Sequence, residues 1–246
     1  DVYKRQVPTA ILSNHTEFPV YFFDDYTEKM TAYTDKWKEL GLSFDAVATG
    51  FLGSEAQIEI VMDMIRKLES EETFVVVDPV MGDHGHAYET YTPEMCEQMK
   101  ELVCMADIVL PNVTECCILT DTPYKKENWT RRELLNMAMM LRLMGAKSVV
   151  ITGVREGSYY TNVVLERGQM EAKFIRTRSS GGERPGTGDV FSSVVAGALL
   201  NGKSLPEAVA QAAGFVKECI KVSDEEQIPH ANGVCFEKIL GKLIKK

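Results

Sequence analysis

The sequence lacks long apolar runs and tracts of basic residues. No apolar run approaches the roughly 20 residues that a membrane-spanning helix requires. Lys and Arg together number 27 against 36 Asp and Glu, so the formal net charge is −9. Because nucleic acids and anionic membranes attract basic surfaces, neither is an expected partner of this chain.

Cysteine spacings typical of zinc sites or redox motifs are missing as well. None of the six cysteines forms a Cys-x-x-Cys pair, and Cys116 and Cys117 are adjacent, a spacing that suits neither a zinc site nor an ordinary disulfide. We therefore expect reduced thiols in a cytoplasmic protein.

Two nucleotide-binding signatures are also absent. The chain has no Gly-x-x-x-x-Gly-Lys-[Ser/Thr] motif, and no Gly-x-Gly-x-x-Gly opens a first βα unit. It is therefore neither a P-loop NTPase nor an obvious dinucleotide-binding protein. An oxidoreductase that binds NAD(P) is the least favoured interpretation.

What the sequence does contain is an alternation of short strands and amphipathic helices. Residues 73–78 form a continuous apolar run, which is typical of a strand buried on both faces of a parallel sheet. Predicted strands cover residues 7–12, 45–51, 73–78, 107–110 and 148–152, with a hairpin over 158–176. Predicted helices cover 27–40, 54–68, 92–103, 130–145, 190–202, 204–222 and 235–245. This order predicts a single α/β domain over residues 7–246, a doubly wound and mostly parallel sheet with helices on both faces.

Polar residues cluster where the predicted strands end. Such clusters occur at 13–17, 49–51, 78–83, 112–115, 152–153 and in the loop that leads to Asp189. In open α/β sheets, ligands bind in the crevice beyond the carboxyl ends of the strands. We therefore expect these clusters to line one ligand-binding crevice.

The segment Gly186-Thr-Gly-Asp189 directly precedes an apolar helical pattern. Glycines before a helix let backbone amides turn towards a ligand, and the helix N-terminus favours an anion such as phosphate. A carboxylate beside bound phosphate repels it, so Asp189 makes sense as a base that takes a proton from an attacking hydroxyl. Alternatively, Asp189 merely suits the first turn of a helix.

A mostly acidic, oxygen-rich set accompanies this segment: Asp78, Asp83, Asn112 and Glu115. Oxygen ligands near phosphates suit Mg²⁺. Three members have a plainer explanation, because Asp78 precedes a proline and such a residue often forms a turn, and Asn112 and Glu115 lie at a possible helix start. His84 and His86 are interpreted as solvated loop residues and not as metal ligands.

Several of these motifs together resemble a known family. Gly-Thr-Gly-Asp189, Asp-Pro-Val-Met-Gly-Asp83 and Pro-Asn-x-x-Glu115 resemble the ribokinase-like superfamily, over roughly residues 7 to 240. Ser13-Asn-His-Thr16 followed by Thr49-Gly-Phe-Leu-Gly53 is similar to the pyridoxal kinases. The resemblance implies ATP-dependent phosphorylation of the 5′-hydroxymethyl group of pyridoxal, pyridoxamine or pyridoxine by a homodimer. It implies ATP and Mg²⁺ as cofactors and leaves a need for K⁺ open.

The resemblance also implies roles for individual residues. Asp189 corresponds to the catalytic base and a substrate contact, and Gly186, Thr187 and Gly188 to the anion hole. The residues implied to contact ATP are Asp78, Asn112, Glu115, Thr152 and Thr177. Those implied to bind the metal are Asp83 and Glu115, and those implied to contact the substrate ring are His15, Thr16 and Phe51. The loop 176–185 corresponds to a mobile cover over ATP, or else is a plain surface loop.

The resemblance breaks down at the start of the chain. Family members begin with an additional βα unit, and residues 1–6 do not resemble any part of it. We therefore expect an N-terminally truncated kinase domain preceded by six non-native residues.

Two other functions remain open. A hydroxymethylpyrimidine (phosphate) kinase shares most of these motifs, although Ser13-Asn-His-Thr16 matches the vitamin B6 side better. The other is a non-catalytic nucleotide-binding protein, which would bind a nucleotide in the same crevice but would not use Asp189 as a base.

Overall fold

The computed structural model describes residues 4–14, 18–68, 70 and 73–244. Its strands are β1 Ala10–Leu12, β2 Phe23–Asp25, β3 Ala46–Ala48, β4 Phe74–Val77, β5 Gly82–Asp83, β6 His86–Ala87, β7 Ile108–Val109, β8 Ser148–Glu156, β9 Tyr159–Leu165 and β10 Lys173–Arg178. Its α-helices are α1 Thr27–Glu39, α2 Glu55–Leu68, α3 Pro93–Cys104, α4 Val113–Leu119, α5 Arg131–Met144, α6 Thr187–Leu200 and α7 Leu205–Glu225. Two 3₁₀ helices follow, at His230–Asn232 and Glu237–Leu243.

Six strands form the central sheet, in the order β10-β9-β8-β7-β4-β3. The strands β3, β4, β7 and β8 pair in parallel, whereas β9 and β10 are antiparallel additions at one edge. The predicted mostly parallel α/β sheet is therefore confirmed. The extent of a single domain over residues 7–246 stays a prediction.

Alternating side chains of the buried strands face two different apolar layers. Val75 and Val77 of β4 pack with α2, α3 and α5, whereas Val76 packs with α6 and α7. Strand β8 divides in the same way, with Val149 on one face and Val150 on the other. Because side chains alternate across a strand, this division places helices on both faces of the sheet, as predicted.

The first predicted strand lies outside the central sheet. Only Ala10–Leu12 is extended, and it pairs antiparallel with β2, a strand that the sequence analysis did not predict. Strand β2 has three residues, Phe-Asp-Asp, which is too short for an alternating pattern to be recognised.

Strand β8 is longer than predicted and continues to Glu156. A register shift between Ile151 and Val154 interrupts its pairing with β9. Gly153 has φ 66° at this point, in the left-handed region that glycine adopts without strain. The bulge redirects the strand without ending it, which is why the Thr-Gly pair was mistaken for a terminus.

The last predicted helix, 235–245, forms instead as the 3₁₀ helix Glu237–Leu243. No helix in the described ranges is both long and apolar enough to span a membrane.

Candidate functional site

The N-terminus of α6 opens into the crevice at the carboxyl ends of the parallel strands. Gly186 precedes the helix with φ 78°, and no side chain caps the helix at this position. The first intrahelical bond runs from the Val190 amide to the Gly186 carbonyl (3.1 Å). The amides of residues 187–189 therefore precede the regular ladder and are free of intrahelical partners, and their role in binding an anion stays a prediction.

Asp189 and Asp78 bring two carboxylates together at this helix end. Asp78 directly follows β4 and is buried, whereas Asp189 lies in the first turn of α6 and is exposed within the crevice. The pKa of Asp78 is raised to about 7, first by burial and then by the negative charge of Asp189, and a hydrogen bond from Ser192 partly offsets this. Protein atoms around the Asp189 carboxyl raise its pKa as well. A raised pKa makes Asp189 a stronger base than an ordinary aspartate.

Asn112 and Glu115 form a capping box at the start of α4. The Asn112 side-chain oxygen accepts from the Glu115 amide (2.9 Å), and Glu115 Oε2 accepts from the Asn112 amide (2.8 Å). Glu115 Oε1 also accepts from the Met81 amide (3.1 Å), and Asn112 Nδ2 donates to the Gly82 carbonyl (2.8 Å). The helix-start interpretation is therefore confirmed, and the same bonds hold the loop between β4 and β5 in place.

Glu115 also belongs to the acidic crevice. Its side chain is buried, and burial followed by the charge of Asp78 raises its pKa well above the usual range, against the effect of the two backbone bonds. Asp83 raises it further. The structure thus brings Asp78, Asp83 and Glu115 close enough to interact electrostatically.

Tyr88 is a site residue that the sequence analysis missed. Burial raises the pKa of its phenol to about 12, and the negative charges of four carboxylates contribute: Glu115, Asp83, Asp78 and Asp189. Its side chain remains 42% exposed, and its amide donates to the Met81 carbonyl (2.8 Å). The only signal in the sequence was a position five residues after Asp83 in the same loop.

Burial and mutual repulsion raise the pKa values of Asp78 and Glu115, and the described residues supply no basic partner that would favour the ionised forms. Within the described ranges, no Lys or Arg forms an ion pair with Asp78, Glu115 or Asp189, and no group of three or more His, Cys, Asp or Glu is arranged as a metal site. Carboxyl groups without a basic partner, next to the predicted anion site, suit a divalent cation shared with bound phosphates. The metal role of Asp83 and Glu115 stays a prediction.

Phe51 lies in the loop after β3, a strand that contacts α6. Its carbonyl accepts from Thr9 Oγ1 (2.9 Å), and its half-buried ring packs near Gly53. The other two predicted ring contacts, His15 and Thr16, lie outside the described residues.

The two remaining predicted ATP contacts lie on β8 and β10, which are separated by β9 in the sheet. Thr152 is bridged to Asn112, and its amide donates to the Pro111 carbonyl (2.8 Å), so it lies beside the capping box. Thr177 is in β10, opposite Tyr160 of β9. Their contacts with ATP stay predictions.

The loop before α6, residues 179–186 and hereafter the strap, is docked onto α7. Ser180 Oγ donates to the Lys217 carbonyl (2.7 Å), and Arg184 forms an ion pair with Asp224 (2.8 Å). Across the crevice, His84 Nε2 lies 3.6 Å from a Glu183 carboxylate oxygen. His84 thus faces the strap and Asp83 from an exposed loop.

Comparison with known proteins places this geometry in a family. The phosphomethylpyrimidine kinase family model matches residues 7–235. The chain is 30% identical over 216 residues to the pyridoxine kinase of Bacillus subtilis, covering 85% of this chain and 74% of that protein. It is 30% identical over 178 residues to the hydroxymethylpyrimidine/phosphomethylpyrimidine kinase of Aquifex aeolicus, covering 72% of this chain and 67% of that protein.

Solved structures agree with the sequence relatives. A Bacteroides thetaiotaomicron protein, provisionally assigned as a phosphomethylpyrimidine kinase, superimposes with a TM-score of 0.93 at 36% identity, covering 97% of this chain and 83% of that chain. A second crystal form of that protein, with pyridoxal, has a TM-score of 0.89 and covers 96% and 83% of the two chains. Pyridoxal kinase from Lactobacillus plantarum superimposes with a TM-score of 0.88 at 26% identity, covering 96% and 84%.

The fold of this chain agrees with that of these solved structures. The predicted resemblance to pyridoxal kinases within the ribokinase-like superfamily is confirmed. The chain belongs to the phosphomethylpyrimidine kinase family.

Proposed function

We propose that this chain transfers the γ-phosphoryl group of ATP to the 5′-hydroxymethyl group of a vitamin B6 vitamer, namely pyridoxal, pyridoxamine or pyridoxine. One observation carries the proposal: Asp189 opens α6 beside uncapped amides and next to the buried Asp78. This arrangement supplies a base and an anion site within one helical turn.

In the proposed reaction, the acceptor hydroxyl loses its proton to the Asp189 carboxylate as its oxygen attacks the γ-phosphorus. The bond between that phosphorus and the bridging oxygen breaks, and ADP leaves. The amides of residues 187–189 stabilise the negative charge on the transferring phosphoryl oxygens. Positioning and charge stabilisation suffice for this chemistry, so a P-loop lysine is not required.

Kinases of this family use ATP and, in general, a divalent cation. Mg²⁺ suits the chain because Asp78, Asp83 and Glu115 offer carboxyl oxygens close enough to interact with one another electrostatically, and such oxygens are the ligands that Mg²⁺ takes. Bound there, it would neutralise charge between these carboxylates and the phosphates. A need for K⁺ stays open, and assembly as a homodimer stays a prediction.

The choice of a vitamin B6 acceptor has two supports. The Bacteroides protein, 36% identical to this chain, was crystallised with pyridoxal, and the Bacillus relative is a pyridoxine kinase. The half-buried aromatic ring of Phe51, in the loop after β3, suits contact with a planar pyridine ring.

A second candidate acceptor is hydroxymethylpyrimidine or its phosphate. The matched family model and the Aquifex relative favour it. This acceptor is also a planar aromatic ring with a hydroxymethyl group, so Asp189 and the α6 amides would act on it in the same way.

The test is ADP release with Mg·ATP and each acceptor in parallel: pyridoxal, pyridoxamine, pyridoxine and hydroxymethylpyrimidine. We expect the highest kcat/KM with a B6 vitamer. Turnover on the pyrimidine alone would transfer the assignment to the second candidate. ATP binding without turnover on any acceptor would contradict both and favour a non-catalytic nucleotide-binding protein.

A further inference from the structure

We infer that Arg184 is a positioning residue for phosphoryl transfer: its guanidinium ties the strap to the C-terminal end of α7 and so sets where the amides of α6 lie. The inference rests on the proposed function, because it assigns those amides to the phosphoryl group. It adds a residue that touches neither the phosphates nor the acceptor.

Arg184 is held by a set of acceptors that only a fork-shaped side chain can serve. Its side chain is 9% exposed. Nη2 donates to Asp224 Oδ1 (2.8 Å), and Nη1 donates to the carbonyls of Ile228 and Gly233 (3.1 Å each). These acceptors lie on α7, in the turn after it, and at the end of the first 3₁₀ helix. The planar guanidinium can bond all of them at once, whereas a lysine ammonium is a single point donor.

The link from Arg184 to the anion site is short and stiff. Only Pro185, whose ring restricts φ, separates Arg184 from Gly186. The Arg184 carbonyl accepts from Thr187 Oγ1 (3.1 Å), which joins the strap to the first residue of α6. A Cβ added at Gly233 would lie 3.1 Å from the Pro185 carbonyl oxygen, so the strap packs directly against the residue that follows the first 3₁₀ helix. A shift of Arg184 must therefore move Gly186 and the amides that follow.

The position of Arg184 separates this role from general support of the fold. The apolar clusters that join the sheet to its helices consist of other residues, and Ser180 provides the strap with a second attachment to α7. Loss of the guanidinium should therefore displace the anion site while the sheet and its helices persist. Displacing groups around a reacting phosphoryl by about 1 Å can cost on the order of 100-fold in rate.

The experiment compares Arg184→Ala and Arg184→Lys with a matched control, Lys242→Ala. Lys242 also forms an ion pair with α7, through Glu218 (2.7 Å), but this pair does not involve the strap. Steady-state kinetics, the Kd of the acceptor and hydrogen exchange of a peptide spanning 179–190 are measured for each protein.

For Arg184→Ala and Arg184→Lys we expect kcat to fall about 10- to 100-fold while the Kd of the acceptor stays within about twofold. Exchange at 179–190 should rise in both variants, and the control should match wild type. Guanidinium ion, added well below denaturing concentrations, should partly restore kcat in Arg184→Ala.

A wild-type kcat in Arg184→Lys would overturn the inference, as would equal losses of kcat and acceptor affinity in both variants. If Arg184→Ala does not fold, Arg184→Lys decides the question by the same criteria. Measurements on the wild-type chain distinguish failure of this inference from failure of the proposed function. If the wild type turns over no acceptor, the proposed function is contradicted. If the wild type is active and the Arg184 variants match it, only the role of Arg184 is contradicted.

Discussion

Asp189 and Asp78 are two residues of the same type in different surroundings. Asp78 is buried at the end of β4, and its pKa of about 7 reflects burial and the nearby charge of Asp189. Asp189 lies at a helix N-terminus and is open to the crevice, where an acceptor hydroxyl could reach it. Motif spacing brought both residues to attention, but it did not reveal that they repel each other.

Replacing Asp189 by Asn tests the assignment of the base. We expect Asp189→Asn to lower kcat by roughly two to four orders of magnitude, because the amide cannot take the proton. The Kd of ATP, measured by calorimetry, should not increase, since the substitution removes a negative charge that repels the phosphates. Asp63→Asn is the control, because Asp63 is an exposed carboxylate on α2 that pairs with Arg66. Unchanged turnover in Asp189→Asn would rule out the base.

At the scale of elements, local signals were reliable wherever side chains cap their own helix. The pattern Thr130-Arg-Arg-Glu133 predicted the start of α5, and both capping-box bonds are present. The same logic holds for Asn112 at α4 and Ser204 at α7. These bonds form between residues three positions apart, so a local pattern is sufficient to predict them.

The α5 cap should make stability depend on pH. The pKa of Glu133 is lowered to about 2, chiefly by a bond from Lys125 Nζ (2.6 Å), with further bonds from Thr130. Since the folded pKa lies below the unfolded value, this stabilisation is complete above about pH 4.5 and is lost as the pH falls towards 2. The difference in urea midpoint between wild type and Glu133→Gln should therefore shrink on acidification.

Lys125→Met provides the control for this effect. It removes the largest cause of the lowered pKa, so the pH-dependent difference caused by Glu133→Gln should be smaller in that background. A difference in midpoint that does not change between pH 6 and pH 3 would contradict the explanation.

At the scale of the whole molecule, buried Gln57 joins segments that are distant in sequence. Its Oε1 accepts from the Gly53 amide (2.8 Å), and its Nε2 donates to the Thr9 carbonyl (2.8 Å) and to Thr27 Oγ1 (2.9 Å). Thr9 in turn binds the Phe51 carbonyl. This network fastens β1 and the start of α1 to the loop that carries Phe51.

Gln57→Leu should both destabilise the protein and weaken acceptor binding. Each buried polar group left without a partner costs about 1–3 kcal/mol, so unfolding in urea should require clearly less denaturant. Because the Phe51 loop is released, KM for the acceptor should rise more than KM for ATP. Gln98→Leu is the control, since that side chain makes one long bond to Glu59 (3.4 Å) and its buried Oε1 has no partner among the described residues, so its loss should lower neither stability nor acceptor binding. Equal increases in both KM values would contradict a specific role on the acceptor side.

The sequence by itself determined the features that depend on local pattern. Hydrophobic periodicity and caps indicated the α/β class and most helices, and the glycine-led segment before Asp189 indicated the start of α6. The length of β8 was underestimated because a bulge and a strand end share the same Thr-Gly signal.

Only the tertiary structure decided which distant residues meet. It placed β1 in a separate small sheet, brought Tyr88 among four carboxylates, and seated Arg184 on the segment after α7. These features depend on long-range pairing and on the burial of charge, and neither leaves a periodic trace along the chain. For the same reason, the family motifs predicted the type of chemistry, whereas the supports of the site became visible only in the folded chain.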